Sequence, residues 1–187
     1  MSMPSSESEL REGWATTAAR YIDAHGWAIV PLNPNPSHSS ADEVGPVVRQ
    51  LGRAPLIDSP DEALNTIEDV EEWDDFQPPN SAIAIQTGSS SGVVALEIGP
   101  GAERALGCEH SEKLIEALPS TKTVEGPDRK YLIFSYPSGC EDLPQMKRSD
   151  GVILHGDGSL VRVPVVSKEF PRGYDWDIDA PAHVAPF

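Results

Sequence analysis

Apolar positions recur along the chain with two different periods, and these periods predict a mixture of helices and strands. Apolar residues stand at helical spacing from residue 9 to residue 25, and Gly26 then supplies a helix stop. A continuous apolar run at 27–32 predicts a first strand. A second helix is predicted from Ser59, with Ser59 as N-cap and Glu62 completing a capping box. Two more helices are predicted, at 67–76 and 103–118.

Short apolar runs from residue 82 onwards predict a set of strands, at 82–85, 93–98, 122–124, 131–134, 152–154 and 160–163. The Gly- and Ser-rich connector 86–92 and the turn 155–159 are each typical of a β-hairpin. The tail from residue 174, rich in Pro, Ala and Asp, is expected to wrap the surface. Because helices and strands mix without regular alternation, the pattern predicts an α+β fold with a mixed or largely antiparallel sheet.

The net charge of the chain restricts the possible functions more than its length does. The chain of 187 residues has 14 basic and 30 acidic side chains, a formal charge of −16, and its length suits one domain or two small modules. The negative electrostatic potential of so acidic a chain repels a phosphate backbone, which argues against a protein that coats DNA or RNA. Residues 1–120 carry 6 basic and 20 acidic side chains, and residues 121–187 carry 8 and 10. An anionic ligand should therefore favour the second part.

The most acidic stretch lies at 58–75, which has nine carboxylates and no Lys or Arg. Such a stretch is either the solvated surface of two short helices or a site for a basic protein partner. The sequence leaves both interpretations open.

Cysteine usage and hydropathy predict a cytoplasmic protein without a membrane segment. Cys108 and Cys140 are too few for a disulfide framework or a zinc cluster, and we expect two reduced thiols. No apolar run approaches the roughly 18 residues of a membrane span, and the first ten residues lack the pattern of a secretory leader. The five histidines occur singly, without the spacing of metal ligands.

Candidate chemistry centres on Glu97, a carboxylate within an apolar strand, where a charge is costly unless it faces solvent or a ligand. Two-metal phosphoryl transfer needs several carboxylates converging on ions about 4 Å apart, yet the residue two positions along is Gly99. Arg129 and Lys130 precede a predicted strand and are either a phosphate clamp or a solvated turn. His155 is either a turn histidine or a ligand on the same sheet.

The order of these motifs resembles the N-terminal prim-pol domain of bifunctional DNA primase/polymerases, in the archaeo-eukaryotic primase superfamily. Four segments carry the resemblance: AARYIDAHGWAIVPL at 18–32, PNSAIAIQTG with SGVVAL at 79–96, GVILHGDGSLVRVP at 151–164 and YDW at 174–176. Together they cover about residues 15 to 180. The resemblance implies an α+β fold of two modules, with mixed or antiparallel sheets flanked by helices.

The resemblance also implies a metal-dependent nucleotidyltransferase site, and the chain departs from it at the acids. Glu97 and Gly99 stand at the family's two spaced acids, and Ile153 stands at the third. Glu97 is therefore the one acid kept, as the candidate catalytic residue. The resemblance implies that four residues bind the nucleotide: Arg129, Lys130, Tyr131 and His155, of which Tyr131 stands where the family has a histidine and His155 where it has an arginine.

Three hypotheses remain open. The first is a single prim-pol-like domain at 15–180, between a flexible N-terminus at 1–14 and a tail at 181–187. It has lost primase and polymerase chemistry, and it binds a nucleotide, a basic protein or a helicase in the replication of DNA or of a mobile element. The second is an active enzyme in which Glu97 and Asp150 hold Mg²⁺ or Mn²⁺. The third is an acidic interaction protein that uses the stretch 58–75. The charge of −16 argues against a DNA template as partner.

Overall fold

A computed structural model describes residues 7–33, 55–57, 59–75, 81–99, 102, 117–147, 151–165, 174–177 and 183–187. The chain divides into two units: unit 1 falls within Met1–Gln86 and Arg162–Pro171, and unit 2 within Thr87–Val161 and Arg172–Phe187. The described elements are two α-helices, a short 3-10 turn and ten strands in two sheets, so the α+β prediction is confirmed. None of the helices described is both long and apolar enough to cross a bilayer.

Unit 1 packs helix α1 (Glu7–His25) and strands β1 (Ile29–Leu32) and β2 (Ala82–Gln86) around an apolar core. The predicted helix and first strand are confirmed, and the stop at Gly26 is a left-handed residue with φ 66°. Strands β1 and β2 pair antiparallel and belong to a three-stranded sheet of order β1-β2-β8, where β8 is Leu160–Val163. All four β1 residues are buried, which explains why an unbroken apolar run marks this strand.

Helix α2 (Ile67–Asp74) begins at a capping box that the sequence interpretation missed. The Thr66 hydroxyl oxygen accepts from the Asp69 amide at 3.1 Å, and the Asp69 carboxylate accepts from the Thr66 amide at 2.9 Å. The helix predicted from Ser59 is only a 3-10 turn, Pro60–Glu62. That prediction was wrong in extent. The Ser59 hydroxyl oxygen accepts a long bond of 3.3 Å from the Asp61 amide, whereas the reciprocal capping box forms seven residues later, at Thr66.

Unit 2 contains a seven-stranded sheet. Its strands are β3 (Val93–Ile98), β4 (Thr123–Glu125), β5 (Lys130–Ser135), β6 (Met146–Lys147), β7 (Val152–His155), β9 (Asp175–Trp176) and β10 (Ala185–Pro186). The order is β6-β7-β3-β5-β4-β9, with β10 parallel to β5 and the other neighbouring strands antiparallel. Strands β4 and β5, both predicted from the sequence, pair antiparallel. The tail does more than wrap the surface, because its described parts add β9 and β10 to the sheet.

Two predicted hairpins are wrong. Strands β2 and β3 lie in different sheets, and so do β7 and β8. The physical reason is that the two connectors bond to each other. The Thr87 amide donates to the Ser159 carbonyl at 2.8 Å, the Thr87 hydroxyl donates to the Gly156 carbonyl at 2.6 Å, and the Gly158 amide donates to the Thr87 carbonyl at 3.1 Å.

Two further predictions concern parts of the chain that are only partly described. The helix predicted at 103–118 lies almost entirely outside the described residues. Cys140 is a free thiol, as predicted, whereas Cys108 lies outside the described residues.

Candidate functional site

Glu97 lies in the middle of the seven-stranded sheet, on β3 between β5 and β7. Its Cα partner on β5 is Tyr131, and its Cα partner on β7 is Ile153. The residue is only 2% exposed. A carboxylate removed from water to this degree must be paired or hydrogen-bonded, or its burial would cost several kcal/mol.

Both carboxylate oxygens of Glu97 have partners. Nη1 of Arg129 donates to Oε1 at 3.0 Å. Nε2 of His155, which is fully buried, lies 2.8 Å from Oε2. Arg129 reaches the carboxylate from the β4–β5 turn, while His155 is the last residue of β7. The register of three strands therefore brings one acid, one guanidinium and one imidazole together.

Arg129 is itself fixed by a second carboxylate. Its Nε and Nη2 donate to the two oxygens of Asp128 at 2.9 and 3.0 Å, a bidentate pair. The hydrogen bonds to Asp128, together with the field of Glu97, raise the pKa of the guanidinium. The Arg129 bond in turn lowers the pKa of Asp128. With His155 neutral, two carboxylates and one guanidinium leave this group with a net charge of −1.

The second nitrogen of His155 faces the side chain of Gln145. Nδ1 lies 3.1 Å from the amide nitrogen of Gln145, which can only donate. Nδ1 is then the acceptor, the proton sits on Nε2, and Nε2 donates to Glu97. We assign the neutral Nε2–H form on this network of hydrogen bonds.

Tyr131 closes the site on the β5 side. Its ring is fully buried, makes an edge contact with His155 at 5.9 Å and stacks on Tyr174 at 6.0 Å. Burial first, and the negative field of Glu97 second, raise the pKa of its phenol. The hydroxyl lies within the field of Arg129, yet it has no hydrogen-bond partner of ordinary geometry among the described residues.

Hydrogen bonds to the Asp157 carboxylate position the segment that carries Gln145. The Asp157 carboxylate accepts from the Tyr136 hydroxyl at 2.5 Å, the Leu143 amide at 2.6 Å and the Ser89 amide at 2.9 Å. Burial raises the pKa of Asp157, but these bonds outweigh it and lower the pKa overall. The neighbouring Gly156 lies so close to this segment that a Cβ would overlap the Leu143 carbonyl oxygen.

Comparison with known proteins gives this arrangement its context. A family model described as the N-terminal domain of bifunctional DNA primase/polymerases, Prim-Pol, matches residues 18–186. The chain belongs to the Prim-Pol family. Its function is therefore related to that of DNA primase/polymerases, and the fold expected from the resemblance is confirmed. No curated protein sequence matches the chain well enough to add a relative to this comparison.

The Prim-Pol family implies a divalent metal held by acids, and the side chains around Glu97 do not fit one. Both carboxylate oxygens are already engaged. Two unit charges about 4 Å apart interact by about 4 kcal/mol at an effective dielectric constant of 20, so Arg129 would repel a divalent ion there by about 8 kcal/mol. Over the part of the chain that is described, no cluster of three His, Cys, Asp or Glu side chains could hold a metal ion.

The structure brings together three of the four residues that the Prim-Pol resemblance assigned to a nucleotide. Arg129, Tyr131 and His155 all lie at Glu97. Lys130 does not join them. It pairs with Glu125, its Cα partner on β4, at 2.5 Å, and this bond raises its pKa. Asp150, the candidate second metal ligand, lies outside the described residues.

Three residues of the group around Glu97 were missed by sequence reasoning: Asp128, Gln145 and Tyr174. Asp128 had a signal, because it adjoins Arg129 in a charged turn. Tyr174 belongs to the YDW motif, but nothing in that motif indicates stacking on Tyr131. Gln145 carried no sequence signal, because its contact with His155 depends on how a loop lies against β7.

Proposed function

We propose that the chain is a non-catalytic Prim-Pol domain, which acts in the replication of DNA or of a mobile element by binding a nucleotide or a protein partner. The observation that supports this is the state of Glu97. The acid that stands at the family's first metal-binding position has both oxygens engaged by protein side chains, one of them a guanidinium.

The described residues around Glu97 supply little else for metal-assisted chemistry. Gly99 and Ile153, at the family's other two acid positions, have no carboxylate. Metal-assisted phosphoryl transfer uses carboxylates to hold cations that neutralise developing charge. Each 1.4 kcal/mol of lost transition-state stabilisation is about tenfold in rate, so losing most ligands removes several orders of magnitude.

A nucleotide bound at Glu97 would have to compete with protein carboxylates for the cationic side chains of Arg129 and Lys130. The guanidinium of Arg129 is paired with Glu97 and Asp128, and the Lys130 ammonium is paired with Glu125. A phosphate would need to displace carboxylates that are already desolvated or tethered nearby. We therefore expect weak nucleotide binding that does not depend on a divalent ion.

A protein partner is the second candidate, and the exposed acids around α2 favour it. Helix α2 buries Val70, while the charged side chains of Glu68, Glu71 and Glu72 are exposed beside Ile67, which is 44% exposed. This surface has the charge that would attract a basic protein.

A template-dependent dNTP incorporation assay with Mg²⁺ or Mn²⁺, run beside an active primase/polymerase, tests the proposal. We expect no incorporation by the full chain. Incorporation that Glu97→Ala abolishes and Glu125→Ala leaves intact would overturn it. Glu125 is the matched control because it is an exposed acid on the same sheet, away from Glu97. Such a result would favour the active enzyme that uses Glu97 with Asp150.

Binding is measured separately. Calorimetric titration with a dNTP, with and without Mn²⁺, should give a signal that the metal does not change. For the protein partner, the triple charge reversal Glu68→Lys, Glu71→Lys and Glu72→Lys should abolish binding to a candidate helicase without changing the circular dichroism spectrum. Unchanged binding by this variant would remove the α2 surface from consideration.

A further inference from the structure

The charge balance at Glu97 distinguishes two ways in which a metal site can be lost. In the first, ligands disappear and the remaining acid is left to solvent. In the second, a protein cation takes over the remaining acid. Glu97 is 2% exposed and its Oε1 lies 3.0 Å from Nη1 of Arg129, which is the second situation.

We propose that the guanidinium of Arg129 is a built-in cation that stands in for a metal ion at Glu97, and that its presence, beyond the missing acids, keeps divalent ions out. This inference rests on the proposed lack of metal catalysis and adds its physical cause. It makes Arg129 a positioning and charge-balancing residue at this centre.

Arg129 is well placed to outcompete a dissolved ion because the protein holds it ready. The turn that carries it is closed by a 2.8 Å bond from the Gly126 amide to the Arg129 carbonyl. Asp128 holds the edge of the guanidinium that carries Nε and Nη2, in a bidentate pair. A tethered and oriented cation acts at a high effective concentration, whereas a divalent ion must first shed water.

Tyr174 stabilises the same turn from one side. Its ring lies against Gly126 so closely that a Cβ at Gly126 would overlap ring carbons, and the ring also stacks on Tyr131. The turn, the guanidinium and the carboxylate are thus fixed by contacts that do not require a bound ion.

Mn²⁺ binding to the full chain tests this inference, read by the loss of the free Mn²⁺ signal in electron paramagnetic resonance. Arg129→Gln removes the positive charge and frees Oε1 of Glu97. We expect this variant to bind Mn²⁺ at least tenfold more tightly than the wild type, and the added change Glu97→Gln to abolish the gain. Arg129→Lys, which keeps the charge, should behave as the wild type.

Lys130→Gln is the matched control. It removes the same charge at the next position, but its partner is Glu125 and not Glu97. No gain in Mn²⁺ affinity for Arg129→Gln, or an equal gain for Lys130→Gln, would overturn the inference.

Two further measurements decide the outcome if Arg129→Gln folds poorly. Mn²⁺ should then raise its melting temperature and leave that of the wild type unchanged. A variant that stays unfolded at every Mn²⁺ concentration counts against the inference, since an added cation should replace the lost one. Broadening of the His155 ring signals of the wild type by Mn²⁺ would also overturn it. The incorporation assay is independent, so a wild type that binds Mn²⁺ at Glu97 without incorporating nucleotides refutes this inference alone.

Discussion

Replacing Glu97 by glutamine probes the centre of the sheet most directly. The amide keeps one oxygen as an acceptor, but its NH2 group must face either Arg129 or His155, and with His155 in the assigned Nε2–H form both of these donate. One of two buried hydrogen bonds is therefore replaced by a contact between two donors, and the guanidinium loses one of its two carboxylates.

The expected cost follows from the burial of the pair. Removing one partner of a buried ion pair costs about 3–5 kcal/mol. Arg129 keeps Asp128, and its side chain is 16% exposed, so we expect the lower end, about 3 kcal/mol. In a domain of this size each kcal/mol lowers the melting temperature by about 2–4 °C, which gives a fall of about 6–12 °C.

A double-mutant cycle with Arg129→Met measures the pair itself. Urea unfolding of the wild type, Glu97→Gln, Arg129→Met and the double variant gives four free energies of unfolding. We expect the double variant to lose at least about 1 kcal/mol less than the sum of the single losses, because residues in contact are coupled. Losses that add within about 0.5 kcal/mol would refute the reasoning, since they would mean that the two groups do not interact.

Three other changes have defined outcomes. Gly156→Ala should lower the free energy of unfolding by about 3 kcal/mol, because its Cβ would overlap the Leu143 carbonyl oxygen. Gly158 has open space around it but a φ of 70°, so Gly158→Ala should lower the free energy of unfolding by about 1–2 kcal/mol in the same urea titration. Tyr131→Phe should stabilise the protein by up to about 1 kcal/mol, because it removes a buried hydroxyl that has no hydrogen-bond partner of ordinary geometry among the described residues. Because the folded pKa of Tyr131 is raised above 10.0, the wild type should lose stability as pH rises past that value, and the phenylalanine variant should lose less. A destabilised Tyr131→Phe would show that the hydroxyl has a partner. Asp157→Asn should lower the melting temperature at pH 7. The folded pKa of Asp157 lies below 3.8, so its contribution is present above that pH and lost as pH falls through the lowered value, and the gap from the wild type should close in acid. A gap that persists there would exclude the carboxylate charge as its cause.

Elements with local or adjacent partners could be predicted from the sequence. Helix α1 shows its apolar spacing and its glycine stop, and the β4–β5 hairpin joins neighbouring strands. The other two hairpins could not be predicted, because an apolar run indicates a strand but not its neighbour. Thr87 pairs with Gly158 and Ser159, about 70 residues away, and no local pattern records that contact.

The candidate site, like the fold, could be predicted from the sequence only in part. Glu97 could be found because a carboxylate in an apolar strand is unusual, and Arg129 and His155 were named from a charged turn and a resemblance. That the three meet follows from the registers of β3 with β5 and with β7, which only the folded structure gives. The resemblance indicated missing acids, but not that a guanidinium had taken up the remaining one.

The assembly of the small sheet also constrains how the protein can be made. Strands β1 and β2 are translated before their third partner, β8, and the 73 residues between Gln86 and Leu160 separate β2 from β8. At about 5–20 residues per second, translation of that stretch takes roughly 4–15 s. During this time β2, whose residues Ala82–Ile85 are all buried in the finished protein, keeps one edge open to other strands. The nascent chain should therefore depend on chaperone protection until Val163 has emerged.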